Sequence, residues 1–339
     1  REWKNDKYPL RVGVSSLGIG GTNAHVILEE APPRPPDSPG DREYKLLIFS
    51  AKTESALNHL TEKWTAHLKA NPGINLADAA FTLQMGRKSF HRRQVLVCSA
   101  VDEAIEELSS PGTGKVRRFF SQEDEAPVIF MFSGQGAQYV GMGLGLYQAE
   151  AGFREEMDRC FEIIRPLMGY DLKAILYPGK NSDRSDTSNI NQTAVAQPLL
   201  FAFEYALAKL LMGWGITPYA MIGHSIGEYT AACLAGVFSL EEALEVVVLR
   251  GKSMQKMPPG AMVGIPLPEN ELVPLLNEKV SLAAVNSSAH CVVSGEKDAV
   301  HAICAKLKEN QREGKLLHTS HAFHSAMMDP ILEEFRQGL

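Results

Sequence analysis

A pentapeptide of the G-x-S-x-G pattern, Gly223-His224-Ser225-Ile226-Gly227, carries the clearest chemical signal in the chain. It follows an apolar run typical of a buried strand and precedes a segment typical of a helix, which is the setting of a nucleophilic serine on a sharp turn. Small flanking residues would let this turn expose the Ser225 hydroxyl above a helix N-terminus, whose dipole favours negative charge. The N–H group of Ile226 would then face an oxyanion. The plainer alternative is a strand–helix turn with an N-capping serine.

Two histidines near the end of the chain, His321 and His324, are candidates for the base that a serine nucleophile needs. His224 is adjacent to Ser225, but on such a turn its side chain should point away from the hydroxyl. The H-x-x-H spacing of the distant pair also suits a metal, yet Cys, Asp or Glu ligands at suitable spacing are missing nearby. We therefore predict no metal site and expect His324 to return to Ser225.

An arginine interrupts the apolar face of a predicted helix. Ser239 and Glu242 form a capping-box sequence, and the helix that they open should run to about Met257. Its inward stripe, at 4-3-4 spacing, consists of Ala243, Val247, Arg250 and Met254. Because an unpaired buried charge is costly, Arg250 needs an anion. That anion is either a structural carboxylate or a carboxylate on the substrate, which guanidinium geometry binds well.

Composition excludes several classes of function. The chain has 339 residues, a net charge of -6 and a pI near 6.0, which argue against a nucleic-acid surface. Five scattered cysteines without a C-x-x-C pair predict neither a disulfide framework nor a zinc site. Apolar runs such as residues 198–207 are too short to span a bilayer, and the first residues lack the apolar core of a signal peptide. We expect a cytoplasmic piece of a longer protein.

The pattern along the chain predicts an α/β fold in several parts. Two strands around a glycine-rich turn come first, and a proline-rich boundary leads to a compact α/β unit. The apolar runs at 128–132 and 219–223 predict strands buried on both faces of a parallel sheet. Residues 260–320 follow the βαββαβ order of ferredoxin-like domains, with the first helix predicted over 269–277, as if inserted into the larger domain. The basic stretch at 86–93 is either a solvated face or a docking surface for an acidic partner.

Taken together, these motifs resemble the acyltransferase domains of type I modular polyketide synthases and the related malonyl-CoA:carrier-protein transacylases. The matching segments are residues 132–138, 223–228, 250–255, 284–287 and 321–325. Residues 13–32 look like the end of a ketosynthase domain, and residues 45–125 look like the linker between ketosynthase and acyltransferase. The resemblance implies a parallel-sheet, α/β-hydrolase-like large subdomain with an inserted ferredoxin-like small subdomain, preceded by a small α/β linker domain.

The same resemblance implies four parts with definite bounds. They are the ketosynthase tail at 1–33, the linker domain at 34–125, the large subdomain at 126–257 with 320–339, and the small subdomain at 258–319. The large subdomain is expected to be C-terminally incomplete. Main-chain carbonyls that orient the histidine in this family are expected beyond residue 339.

Site roles follow from the resemblance residue by residue. Ser225 matches the nucleophile, His324 the base and Arg250 the arginine that pairs with the extender-unit carboxylate. The N–H groups of Gln135 and Ile226 match the oxyanion hole. The substrate-binding set implied by the resemblance also includes His224, His321 and Phe323.

Substrate and partners are likewise implied by the resemblance. The sequence His321-Ala322-Phe323-His324 is similar to the malonyl-selective version, whereas methylmalonyl-selective relatives carry Tyr-Ala-Ser-His. We expect malonyl-CoA as substrate, no permanently bound cofactor, and phosphopantetheine carried by an acyl carrier protein. A ketosynthase in the same chain is the second expected partner, and neither nucleic acid nor membrane is expected. The alternatives are another acyl-CoA such as methylmalonyl-CoA, a serine hydrolase, or a non-catalytic scaffold.

Overall fold

A computed structural model describes residues 8–32, 42–110, 114–121, 126–179, 186–309, 311–317 and 319–338. The chain divides into two compact units, Arg1–Asp124 and Glu125–Leu339. Each is described by itself below. The predicted ranges of the ketosynthase tail, the linker and the two subdomains stay predictions.

The first unit begins with a β-hairpin. Strands β1 (Arg11–Leu17) and β2 (Asn23–Glu29) pair antiparallel, and their turn includes Gly21 at φ +88°. This is a conformation that glycine adopts without a steric penalty. All residues of both strands are exposed.

The rest of the first unit is a three-stranded antiparallel sheet with helices. Its elements are β3 (Lys45–Ala51), α1 (Glu54–Ala70), α2 (Leu76–Met85), β4 (Arg92–Cys98), α3 (Val101–Ser109) and β5 (Arg117–Phe120), with strand order β3-β4-β5. Thr53 caps α1 and Asn75 caps α2 through their side-chain oxygens. Arg92 of β4 and Arg118 of β5 both pair with Glu54 at the start of α1. The carboxylate of this helix therefore offsets part of the positive charge of the two strands.

The second unit contains the predicted parallel strands and a helical layer. Its first elements are β6 (Val128–Phe132), α4 (Leu144–Ala149), α5 (Ala151–Met168), α6 (Leu172–Leu176), α7 (Thr193–Gly213), β7 (Pro218–Gly223), α8 (Gly227–Leu234) and α9 (Leu240–Gln255). β6 and β7 pair in parallel. The helix α9 begins with the predicted capping box, in which Ser239 and Glu242 bond reciprocally.

Helix α7 is the centre of this layer. By length and apolar composition alone its 21 residues could cross a bilayer, but 72% of its most apolar window is buried inside the unit. Phe201 and Leu199 of α7 join Phe153 and Met157 of α5 and Val247 of α9 in one core cluster. A helix that is apolar on most sides is expected at such a position.

The prediction that β6 and β7 are buried on both faces is wrong. Ile129 and Met131 are 57% and 80% exposed, and Tyr219 and Ile222 are 81% and 55% exposed. The alternate residues of β6 face inward, where Phe130 and Phe132 pack with Ala208 of α7 and Ala231 of α8. In the described part of the chain this sheet has two strands, and the buried cluster lies on one face only.

The ferredoxin-like prediction is confirmed by the topology of the next elements. They are β8 (Ala261–Ile265), α10 (Glu269–Leu272), β9 (Val280–Ser287), β10 (His290–Gly295), α11 (Lys297–Glu309) and β11 (Lys315–Leu316), with the antiparallel strand order β11-β8-β10-β9. The helix predicted over 269–277 is shorter, because a 3₁₀ turn at Val273–Leu275 contains Pro274, which has no N–H to continue an α-helix.

The entry to and exit from this small domain lie side by side. Pro259 and His321 form an antiparallel bridge, and the N–H of Gly260 donates to the carbonyl of Ser320 at 3.2 Å. The chain then continues into a 3₁₀ helix at Ala326–Ile331 and the helix α12 (Leu332–Gln337). His324 therefore follows directly on this junction.

Candidate active site

The turn between β7 and α8 is as sharp as the sequence predicts. Ser225 has φ +54°, in the left-handed region that a residue with a side chain rarely occupies. A Cβ atom on Gly223 would overlap the backbone nitrogen of Glu228, and one on Gly227 would lie 2.7 Å from the carbonyl oxygen of Phe132. Both flanking positions therefore require glycine, which accounts for the spacing of the motif.

Two hydrogen bonds hold the strained turn. The carboxylate of Glu228 accepts from the N–H of Gly223 at 2.7 Å, and the N–H of His224 donates to the carbonyl of Phe132 at 2.9 Å. Strain of this kind persists only where the surrounding structure fixes it, and it is concentrated at functional sites. The turn thus presents Ser225 in a fixed direction.

The hydroxyl of Ser225 and the imidazole of His324 are within hydrogen-bonding distance. Oγ and Nε2 lie 2.9 Å apart. His324 also has a left-handed backbone, at φ +55°, and the hydroxyl of Ser325 steadies that bend by donating to the carbonyl of Ala322 at 2.7 Å. Among the described residues, none hydrogen-bonds to the Nδ1 atom of His324.

The surroundings of His324 keep its imidazole neutral. Partial burial is the largest cause of its lowered pKa, and electrostatic interactions with Arg250 and, after it, His224 lower it further. A neutral imidazole with a free Nε2 lone pair can accept the proton of Ser225.

Arg250 directs its charge at the same hydroxyl. Its Nη2 donates to Oγ of Ser225 at 3.3 Å, while its Nη1 is buried and has no hydrogen-bond partner among the described residues. The guanidinium carbon lies 5.5 Å from the ring centre of Tyr229. Burial lowers the pKa of Arg250, and Tyr229 opposes that fall. No described Asp or Glu forms an ion pair with Arg250, so the structural ion pair considered above has no candidate in this part of the chain.

A cavity of about 580 Å³ opens beside these groups. Its lining includes Arg250, His324, Tyr229, Met254 and Met328. Arg250 gives this lining a positive charge, Asp329 gives it a carboxylate, and the methionines give it apolar surface. A small acyl group with a terminal carboxylate could enter such a cavity and pair with Arg250.

The loop after β6 lies against the serine turn. A Cβ atom on Gly134 would approach the Nδ1 atom of His224 to 2.6 Å, so these two segments are in close contact. The side chain of the next residue, Gln135, reaches Thr193 and Gln197 of α7, at 3.4 and 3.5 Å. Ile226 is buried in the core. The oxyanion roles of the Gln135 and Ile226 N–H groups stay predictions.

The other predicted substrate contacts lie at the periphery. His224 is exposed beside Gly134, and His321 is buried with its Nδ1 atom 2.7 Å from the hydroxyl of Ser320. Phe323 is buried behind the cavity wall, packed in one cluster with Met254 and Met328. Contact of these three residues with substrate stays a prediction, and Phe323 would act through the two methionines.

Sequence reasoning missed three features of the site. Tyr229 and the methionine pair Met254 and Met328 belong to no recognisable chemical pattern. Glu204 is different, because it is one of only two charged residues in the apolar helix α7. A carboxylate in such a helix is a signal that could have been followed.

Metal-binding clusters and reactive thiols are the two other kinds of group to compare with Ser225. They include no group of three or more His, Cys, Asp or Glu side chains able to hold a metal ion. Burial is the largest cause of the raised thiol pKa of Cys98 and Cys233, to about 11 in both cases. Such thiols are poor nucleophiles at neutral pH.

Comparison with known proteins agrees with this geometry. The acyl transferase domain family matches residues 129–339, and the CurL-like C-terminal region of polyketide synthases matches residues 45–108. The mycoketide-CoA synthase of Mycobacterium tuberculosis is 39% identical over 99% of this chain, which spans 8% of that relative. The spectinabilin polyketide synthase system protein NorB of Streptomyces orinoci is 38% identical over 99% of this chain, which spans 16% of that relative. The chain thus covers less than a fifth of either curated relative.

Solved structures give the same result. The acyltransferase domain of ZmaA has 45% identity and a TM-score of 0.81, covering 88% of this chain and 69% of that one. The acyltransferase domain of SpnD, in complex with 2-(pent-4-yn-1-yl)malonyl, has 38% identity and a TM-score of 0.78, covering 88% and 70%. Fold and comparisons together define an α/β acyltransferase. The chain belongs to the acyl transferase domain family, as found in polyketide synthases.

Proposed function

We propose that this domain transfers a malonyl unit from malonyl-CoA, through an ester on Ser225, to the phosphopantetheine thiol of an acyl carrier protein. One observation carries the proposal: within the part of the chain that the structure describes, the buried Nη1 of Arg250 has no partner, while Nη2 reaches the hydroxyl that His324 also contacts. An unpaired buried cation beside a nucleophile is stabilised when the substrate brings an anion.

The first half-reaction is acylation of the serine. Nε2 of His324 accepts the hydroxyl proton as Oγ of Ser225 attacks the thioester carbonyl, and the carbonyl oxygen becomes an oxyanion. The N–H groups of Gln135 and Ile226 donate to that oxyanion. When the C–S bond breaks, the coenzyme A thiolate takes the proton from His324 and leaves. The product is a malonyl ester on Ser225.

The second half-reaction reverses these roles. The phosphopantetheine thiol gives its proton to His324 and attacks the ester carbonyl, and Ser225 leaves as the alkoxide and is reprotonated. Arg250 holds the malonyl carboxylate during both steps, so the acyl group stays in place while the thiols exchange. Guanidinium–carboxylate pairs are commonly bidentate, which fixes orientation as well as affinity.

Malonyl is favoured over bulkier extender units by the cavity wall. Phe323 fills the space behind Met254 and Met328, which limits how far these side chains can retreat. One additional methyl group is discriminated by about 1–3 kcal/mol in an apolar pocket. Methylmalonyl-CoA is the second candidate donor, because the acyltransferase domain of SpnD was solved with a substituted malonyl group.

A serine hydrolase is the rival in another class. It would share the Ser225–His324 pair, but it has less use for the cation of Arg250. Retention of the malonyl ester in water distinguishes the two. The proposal includes two partners, an acyl carrier protein and a ketosynthase in the same chain. It also includes a cytoplasmic setting and no permanently bound cofactor.

Intact-protein mass spectrometry tests the proposal directly. The wild type, Ser225→Ala and Arg250→Met are incubated separately with malonyl-CoA, methylmalonyl-CoA and acetyl-CoA. We expect a lasting malonyl adduct on the wild type, none on Ser225→Ala, and a weak one on Arg250→Met. An adduct on Ser225→Ala, or rapid release of free malonate from the wild type, would contradict the proposal.

A further inference from the structure

A buried carboxylate lies between the two segments assigned to the oxyanion hole. Glu204 projects from helix α7 and is 8% exposed. One of its oxygens, Oε1, accepts from the N–H and the hydroxyl of Ser133, at 2.7 and 2.6 Å. The other oxygen, Oε2, accepts from the hydroxyl of Thr230 at 3.2 Å.

These partners flank the two N–H groups in question. Ser133 stands two residues before Gln135, on the loop after β6. Thr230 stands on α8, one helical turn after Ile226, and is fully buried. A single rigid group therefore connects the loop that carries one donor with the helix that follows the other.

The hydrogen bonds explain how a carboxylate is tolerated there. Burial raises the pKa of Glu204, and the bonds from Ser133 and Thr230 oppose that rise. The Ser133 N–H can only donate, so Oε1 must accept, and the two hydroxyls complete a set of three donors for the ionised group. Hydrogen bonds to charged groups are shorter and stronger than neutral ones, so this connection resists stretching.

We propose that Glu204 is a positioning residue that fixes the distance between the oxyanion donors of Gln135 and Ile226. It does not touch substrate. It acts through Ser133 on one side and Thr230 on the other. The inference rests on the acylation of Ser225 proposed above.

The test uses two reactions of Ser225. The first is malonylation by malonyl-CoA. The second is phosphonylation by an alkyl fluorophosphonate, in which an Oγ–P bond forms, fluoride leaves and His324 takes the proton. The phosphoryl oxygen occupies the oxyanion hole in this reaction, and no malonyl recognition is needed. Single-turnover rate constants are measured for both, and malonyl-CoA affinity is measured separately in the Ser225→Ala background.

Three variants and one control separate positioning from general damage. Glu204→Leu removes the connection but neither donor, and both rate constants should fall by about 10–100-fold, the scale of a displaced catalytic group. Thr230→Val is nearly isosteric and removes only the bond to α8, so about a 3–10-fold loss is expected. Glu204→Gln can still bridge, because the threonine hydroxyl can accept instead of donate, and should stay within about threefold of wild type. Malonyl-CoA affinity should not change.

Tyr147→Phe is the matched control. Tyr147 lies on α4, and its hydroxyl hydrogen-bonds to Asp158 and Lys173, which are outside the site. Its rate constants should equal those of the wild type. The proposal is overturned if folded Thr230→Val keeps wild-type rate constants, or if substrate affinity falls as much as rate. If Glu204→Leu does not fold, the two rate constants of Thr230→Val test the proposal in its place. If the wild type reacts with the fluorophosphonate but not with malonyl-CoA, the assignment of malonyl-CoA as substrate fails. The phosphonylation rate constants of the variants then still test the positioning role of Glu204.

Discussion

Replacement of Arg250 by methionine should change acyl preference more than it changes general activity. In the wild type, a malonyl carboxylate can accept a hydrogen bond from Nη1, which has no partner among the described residues. It can also accept one from Nη2, in place of the 3.3 Å contact of that nitrogen with Ser225. Hydrogen bonds to a charged group contribute about 1.5–3 kcal/mol each. Because Arg250 as a whole keeps some solvent exposure although Nη1 is buried, we take the lower value for both hydrogen bonds, about 3 kcal/mol in total. At 1.36 kcal/mol per tenfold, kcat/KM for malonyl-CoA should fall about 100-fold.

Acetyl-CoA provides the internal reference for this change. It has no free carboxylate, so in the wild type it leaves the buried cation of Arg250 unpaired. Arg250→Met removes that charge, and the rate with acetyl-CoA should hold or rise. The assay is release of free coenzyme A thiol in single-turnover mode with each donor. Arg159→Met is the matched control, because Arg159 is an exposed arginine paired with Glu241.

The ratio of malonyl to acetyl rates is the decisive quantity. We expect it to fall about 100-fold in Arg250→Met and to be unchanged in Arg159→Met. An equal loss for both donors would refute the carboxylate role and leave Arg250 as support for the Ser225 hydroxyl alone.

Three further predictions concern the base, the turn and the pocket. The lowered pKa of His324 means that the acid limb of the pH–rate profile for acylation should have its midpoint below the ordinary pKa of a histidine. Arg250→Met removes one positive charge that lowers this pKa, so the midpoint should move to higher pH. Gly223→Ala would force a side chain onto the backbone of Glu228, and we expect about 1–3 kcal/mol lower stability by thermal unfolding together with loss of acylation. Phe323→Ser should open space behind Met254 and Met328, let these methionines retreat from the cavity and raise the methylmalonyl-to-malonyl rate ratio by about 10–100-fold, measured by competition between the two donors.

Most elements of the fold could be predicted because local signals agreed with the final packing. The capping box at Ser239, the glycine spacing around Ser225 and the βαββαβ order each depend on neighbours in sequence. The helix predicted over 269–277 ends earlier in the structure, because Pro274 has no N–H with which to continue it.

Burial was harder to predict than element type. The apolar runs of β6 and β7 have the composition of fully buried strands, yet Met131 and Tyr219 are mostly exposed in the described chain. The hydrophobicity of a strand indicates that its faces favour burial, but it does not show whether another element covers each face. The same limit applied to Arg250, whose stripe position predicted a need for an anion without identifying one.

The residues that take part in the reaction could be predicted from the sequence, but the residues that position them could not. Ser225 and His324 belong to short patterns tied to their chemistry. Glu204 and Tyr229 gain their importance from groups far away in sequence, such as Ser133 and Arg250, and only the tertiary structure brings these together.

The bridge between Pro259 and His321 makes the small domain a separable cassette. Its two ends meet just before the chain reaches His324, and Ser281 of the small domain accepts a hydrogen bond from the N–H of Ala326, so the junction and the inner face of the small domain together hold the imidazole. Helix α11 packs on the opposite face of the small sheet, so changes at its exposed positions should leave the contact of His324 with Ser225 intact. An exchange of the small domain between related chains, cut at Gly260 and Ser320, would therefore have to keep Met262, Ser281 and Val292 on the inner face.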